Sequence, residues 1–161
     1  MKKNKTKNIP SDLISPFLKE AVKFDKTYFS ISIRESNEKF IDVEGIFRRK
    51  KITAVFNKNL TATGQKRLFL LREGLIAPLI SSAEEIRKYN LLLRFEYMYR
   101  RLEDQEAAFV RSVKTFIKKY PELDKKSILQ IAGVFVAATP ATAGHLSGAS
   151  MDIILVDADL K

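Results

Sequence analysis

The sequence predicts an α+β fold, with helices packed on a largely antiparallel sheet, and three observations lead there. Stretches of strand length with alternating apolar residues are mixed with stretches of helical period. They follow no regular strand–helix–strand rhythm, which a doubly wound parallel sheet would need. Hydrophobic residues make up 45% of the 161-residue chain, enough to build a real core.

The elements follow in chain order. Residues 1–10 read as a basic, flexible N-terminus: Lys2, Lys3, Lys5 and Lys7 crowd it, and Asn8 and Pro10 interrupt any apolar run. A signal peptide needs that run, so a cytoplasmic protein is expected. Pro16 to Phe24 has Phe17, Ala21 and Phe24 at helical spacing, with proline at a first-turn position. Tyr28 to Ile33 alternates, with Phe29, Ile31 and Ile33 on one face. Phe40 to Phe47 and Ile52 to Phe56 are further expected strands, and Arg48–Lys51 between them an exposed turn. Asn59 to Gln65 reads as a loop. Leu70 to Lys88 is expected to be mostly helical, on the stripe Leu75, Leu79, Ala83 and Ile86. Pro78 falls inside that stretch, where a helix must begin or kink.

Asn90 to Tyr99 gives the clearest strand signal, with Leu91, Leu93, Phe95, Tyr97 and Tyr99 on one face. Leu102 to Lys119 is a helix that turns Leu102, Phe109, Val113, Phe116 and Ile117 inward, and Pro121 ends it. Ser127 to Ala138 is apolar and fits either a strand or a short helix. Thr139 to Gly144 is a loop, and Ser150 to Val156 reads as a buried strand.

Composition narrows the chemistry. Cysteine is absent, which excludes disulfides, thiolate metal sites and a cysteine nucleophile. Any metal must therefore be held by nitrogen and oxygen. His145 is the only histidine. No stretch approaches the eighteen or so apolar residues of a membrane span. The net charge is +10, but the cations are spread along the chain. The clusters Lys2–Lys7 and Arg48–Lys51 lack the interleaved aromatics of a nucleic-acid module, and a solvated surface accounts for them.

The segment His145-Leu146-Ser147-Gly148-Ala149-Ser150-Met151-Asp152 carries the most information. A histidine in a loop precedes an aspartate entering an apolar strand, and Gly148 allows the backbone to bend between them. Both are good zinc ligands. An aspartate between Met151 and Ile153 in a buried strand would need a hydrogen bond, an ion pair or a metal. On spacing alone, ordinary surface, core and capping roles fit these two residues better than metal binding does.

This segment resembles the first zinc motif of the D-alanyl-D-alanine dipeptidases: His145, Gly148 and Asp152 match, Ala143 replaces the motif serine and Ser150 its alanine. Upstream, Leu91 to Gln105 resembles the strand and turn in which the family carries its Trp/Phe-Asp-Gly-Tyr-Arg-Pro motif. Tyr99 and Arg100 match; Glu96 or Tyr97 stands near the aspartate, Met98 replaces the glycine and Arg101 the proline. Leu70 to Gly74 resembles a leucine-arginine-glutamate segment opening a helix. Together these segments span about Asn59 to Asp157.

The resemblance implies a zinc metallopeptidase that hydrolyses the peptidoglycan dipeptide D-alanyl-D-alanine. His145 and Asp152 would be two ligands of one Zn2+ ion. Arg100 would stabilise the transition state or orient the substrate, and Tyr99 would contact it. The family's second histidine ligand and glutamate base have no counterpart in this chain. Residues 11–161 are therefore expected to be the N-terminal portion of a single dipeptidase-like domain lacking its C-terminal part. Such a chain would be inactive alone, or completed by a separately encoded C-terminal fragment. The alternative is a non-catalytic basic binding protein, resting on the net charge and Arg48–Lys51; Arg100 would then simply pair with Glu96 or Glu103.

Overall fold

The computed structural model describes residues 36–137 and 143–159, and all structural statements concern these residues. The expected helix at Pro16–Phe24 and strand at Tyr28–Ile33 lie outside them. The chain separates into two compact units: Met1–Arg34 with Gln105–Ala143, and Glu35–Asp104 with Gly144–Lys161.

The second unit holds all five strands. Strand β1 (Phe40–Asp42) runs directly into helix α1 (Val43–Arg49), where the sequence reading expected one strand from Phe40 to Phe47. Val43 and Phe47 are both buried, and their spacing of four residues puts them on one face of a helix as it would on one face of a strand, so the pattern fits either element. Glu44 in the first turn and Arg48 and Arg49 in the last also suit the helix dipole. Lys50 and Lys51 then turn the chain, with Lys51 at φ +57°. All four basic residues of this corner are exposed.

Strand β2 (Val55–Phe56) is shorter than expected. Strand β3 (Leu70–Arg72) pairs antiparallel with β1, Ile41 opposite Leu71. A single 3-10 turn at Glu73–Leu75 leads into helix α2 (Ile76–Arg87). The expected long helix from Leu70 thus starts late, and Pro78 sits in its first turn, where no amide partner is lost. Strand β4 (Leu91–Tyr97) is central to a three-stranded sheet of order β2-β4-β5, where β5 is Asp152–Asp157. It pairs parallel with β2 and antiparallel with β5. The α+β class therefore holds, and the parallel β2–β4 pairing is the exception to an otherwise antiparallel pattern.

The core of this unit is aromatic. Phe95 is fully buried, with its ring centroid 5.6 Å from Phe47 and 5.0 Å from Phe56; Phe56 meets Phe69 at 4.9 Å. Edge-on and offset geometries of this kind add to the free energy of burial. Leu71, Leu79, Ala83, Leu93 and Met98 complete the cluster. The expectation that β5 is buried is corrected: Ile153, Ile154 and Leu155 are 37%, 50% and 53% exposed. Four consecutive apolar residues suit a strand covered on both faces, but β5 lies at the sheet edge.

The first unit is helical among its described residues. Helix α3 spans the expected Leu102–Lys119, with its first three residues assigned to the other unit, but Leu102 and Ile117, expected inward, are 42% and 54% exposed. The ambiguous stretch after it is helix α4 (Lys125–Phe135). Asp124 caps α4 by accepting the Ser127 amide at 2.9 Å. Ile128, Ile131 and Ala132 form its buried face, and Phe135 meets Phe116 of α3 at 5.4 Å.

Candidate functional site

The site lies where β4 leaves the core and β5 begins. From Leu91 to Phe95 the two strands are in register, ending at Phe95 opposite Ile153. The next pair is Tyr97 opposite Asp152, so Glu96 is an extra residue in the ladder. A bulge of this kind breaks the alternation and re-aims the side chains beyond it. Met98 follows with its side chain fully buried in the core. The expected one-faced series through Tyr97 to Tyr99 therefore ends at Phe95.

His145 arrives on a single helical turn, α5 (Gly144–Ser147). Its Nδ1 lies 2.7 Å from the Met98 carbonyl. A carbonyl can only accept, so Nδ1 carries the hydrogen. The Arg100 amide in turn donates to the His145 carbonyl at 3.1 Å. Histidine and the β4 exit are thus tied by two bonds, one of them to a core residue.

Nε2 of His145 faces Asp152, 3.3 Å from Oδ2. The imidazole is largely enclosed, with 17% of its side chain exposed, while the carboxylate is open, at 55%. The hydrogen bond with His145 lowers the Asp152 pKa from its ordinary value; partial burial opposes this, and the charges of His145 and Arg100 add to it.

Arg100 lies with its guanidinium carbon 4.4 Å from the Tyr97 ring centroid. The same ring lies edge-on to His145, at 6.3 Å between centroids. Tyr99 is placed differently. Its backbone bridges to Leu68, and its ring meets Phe40 edge-on at 5.0 Å. The structure thus brings Arg100, His145 and Asp152 together, and the aromatic ring that meets them is Tyr97.

Two residues that hold the site, Arg72 and Glu96, lie in segments the sequence reading singled out but were given no role there. Arg72 donates from its backbone to the Gly148 carbonyl at 2.9 Å and from Nε to the Ser147 carbonyl at 2.8 Å. It therefore clamps the turn that carries His145, and its guanidinium stacks on Phe40 at 4.2 Å. Phe40 closes on Gly148, where a Cβ would fall 2.1 Å from Phe40 Cε1. Gly148 also has φ +72°, so the position needs glycine twice over. Glu96, the bulged residue, accepts from Asn57 Nδ2 and lies 3.6 Å from Arg67 and 2.6 Å from Arg94. It is held in a polar network on its own side of the strand.

His145 and Asp152 supply two donor atoms, and no cluster of three or more His, Cys, Asp or Glu suited to a metal occurs among the described residues. No helix among them is long and apolar enough to cross a membrane. No family model, no curated protein and no solved structure matches the chain.

Proposed function

We propose that the second unit carries two ligands of a zinc site, His145 and Asp152, with Arg100 beside them as the substrate-orienting cation. On this reading the chain is a dipeptidase-like zinc hydrolase component acting on D-alanyl-D-alanine. One observation carries the proposal: Nε2 of His145 and Oδ2 of Asp152 face each other at 3.3 Å while Nδ1 is already committed to the Met98 carbonyl. With Nδ1 carrying its hydrogen, Nε2 meets the carboxylate oxygen either as the N–H of an imidazolium or, when neutral, through a lone pair. Only a cation between them, a proton or a metal ion, makes that arrangement favourable. Two ligands about 2.0–2.1 Å from one tetrahedral ion stand about 3.4 Å apart, close to the separation here. The Met98 carbonyl fixes the ring orientation and tautomer, as a metal-binding histidine requires.

A bound zinc ion supplies a water of lowered pKa and a polarised carbonyl. The chain's own residues then do the rest. Arg100 presents planar donors suited to a carboxylate or a developing oxyanion, and Tyr97 carries its guanidinium. A catalytic zinc normally has three protein ligands. The second histidine and the glutamate base that the resemblance calls for have no counterpart in this sequence, so hydrolysis by this chain alone is expected to be near background. The competing view, a basic binding protein, rests on the net charge of +10 and the exposed Arg48–Lys51 corner.

Calorimetric titration with zinc tests the proposal. The expected result is one weak site per chain, at least about tenfold weaker in His145→Ala and in Asp152→Ala, the loss typical of a ligand. An isotherm unchanged by His145→Ala sinks it. Salt-sensitive gel shifts with nucleic acid, abolished by replacing Arg48–Lys51, would favour the basic-binding alternative.

A further inference from the structure

The Tyr97 ring is shared by more of the site than any other side chain. The Tyr97 backbone pairs with Asp152 across the ladder, and its ring meets His145 edge-on and lies under Arg100. A second guanidinium, that of Arg67, also lies against it, 4.0 Å from the centroid. Of these two guanidiniums on one ring, Arg67 donates to the Glu96 carbonyl and lies near the Glu96 carboxylate. Arg100 is tied through its backbone amide to the His145 carbonyl. Arg67 is largely enclosed, with 11% of its side chain exposed, so it anchors the ring from the interior.

We infer that Tyr97 is the positioning residue of this site: anchored by Arg67 and Glu96, its ring holds the Arg100 guanidinium beside the His145–Asp152 pair. The inference rests on the proposed role of Arg100 as the substrate contact. Tyr97 touches no reacting atom in this account; it acts through Arg100. A long arginine side chain has several rotatable bonds, and an aromatic face restricts them while strengthening the cation's contact by electrostatic attraction to the ring. The bulge at Glu96 is what brings the ring there, since an unbroken register would put residue 96, not 97, opposite Asp152. The ring face is the working part, so phenylalanine should serve nearly as well as tyrosine and leucine should not.

The test compares Tyr97→Phe and Tyr97→Leu in the full chain with three readouts. The first is the nuclear-spin order parameter of the Arg100 Nε–H group. It is expected to stay near the rigid value in Tyr97→Phe and to fall below about 0.6 in Tyr97→Leu. The second is affinity of the zinc-loaded chain for a phosphinate dipeptide analogue, a tetrahedral anion. It is expected to drop about five- to thirtyfold in Tyr97→Leu, the range of one partly desolvated cation–ring contact, and to be kept in Tyr97→Phe. The third is zinc affinity itself, expected to be the same in both variants because Tyr97 donates nothing to the metal. Should Arg100 stay equally ordered in Tyr97→Leu, the positioning role is overturned whether or not zinc binds. Should wild-type chain fail to bind zinc while Arg100 still loosens in Tyr97→Leu, the zinc reading falls and the stacking role stands. Equal loss in Tyr97→Phe and Tyr97→Leu would overturn the claim that the ring face does the holding.

Discussion

Strands β4 and β5 lie side by side, and five of their six paired positions on β4 and four on β5 are apolar or aromatic, yet they lead opposite lives. Leu93 and Leu155 face each other across the ladder on the same side of the sheet. Leu93 is 5% exposed and Leu155 53%. The difference comes from what covers them. The Phe47–Phe56–Phe95 cluster and helix α2 pack over β4, while β5 sits at the edge with one hydrogen-bonding side unpaired among the described residues. The strands meet on equal terms only at their shared end, where Tyr97 stands opposite Asp152. Stability and candidate chemistry are thus separated along β4: the core half ends at Phe95 and the site half begins one bulge later.

The largest expected effect lies in the core half. Phe95→Ala removes a fully buried ring from an aromatic cluster and should cost about 3–5 kcal/mol, enough to unfold much of the population in urea. Leu93→Ala should cost about 2–5 kcal/mol, whereas Leu155→Ala, its partner in register, should cost under about 1 kcal/mol. Equal losses at Leu93 and Leu155 would break the comparison, because they would mean that β5 is covered in solution.

Gly148→Ala should be intermediate and should strike the site rather than the core. The added methyl meets Phe40 and the residue has positive φ, so a loss of about 1–3 kcal/mol is expected. Zinc affinity should fall with it. Adding Phe40→Ala relieves the collision and leaves only the backbone strain, so the double variant should recover part of both losses.

A subtler prediction concerns Asp104, at the start of α3. Burial pushes its pKa up, but hydrogen bonds from Thr61 and Thr63 and the charge of Arg101 outweigh burial and hold it below the ordinary 3.8. A folded-state value below the unfolded one gives stability that is complete above the unfolded pKa and lost as pH falls through the folded one. Asp104→Asn should therefore lower the urea midpoint at neutral pH, and the gap from wild type should close as pH drops below about 4. A gap that stays constant into acid would show that the carboxylate's charge contributes nothing.

Much of the α+β pattern was legible because it rests on period. Leu102–Lys119 and the start of β4 form where the apolar spacing puts them. The reading went astray where a local pattern had two solutions or where burial depends on distant partners. Phe40–Phe47 alternates like a strand, but Val43 and Phe47 also stand one helical turn apart, and the chain turns helical after Asp42. Ile153–Val156 is apolar enough for a buried strand, but no sequence pattern states which neighbours will cover it. In the candidate site, His145, Asp152 and Arg100 were named through the resemblance to a family's motifs, and the structure brings them together. Tyr97 and Arg72 were given no site role. Tyr97 reaches Arg100 only because the ladder slips at Glu96, and Arg72 reaches the His145 turn only through the β1–β3 pairing and the fold of residues 144–148. Neither event leaves a periodic trace.

The most direct measurement is anomalous scattering at the zinc edge from crystals of the chain grown with zinc. The account predicts a single ordered ion between His145 Nε2 and Asp152 Oδ2, about 2.0–2.2 Å from each, with the Met98 carbonyl still holding Nδ1. Zinc bound elsewhere, with the imidazole and carboxylate still in direct contact, would contradict it and leave His145–Asp152 as an ordinary ion pair.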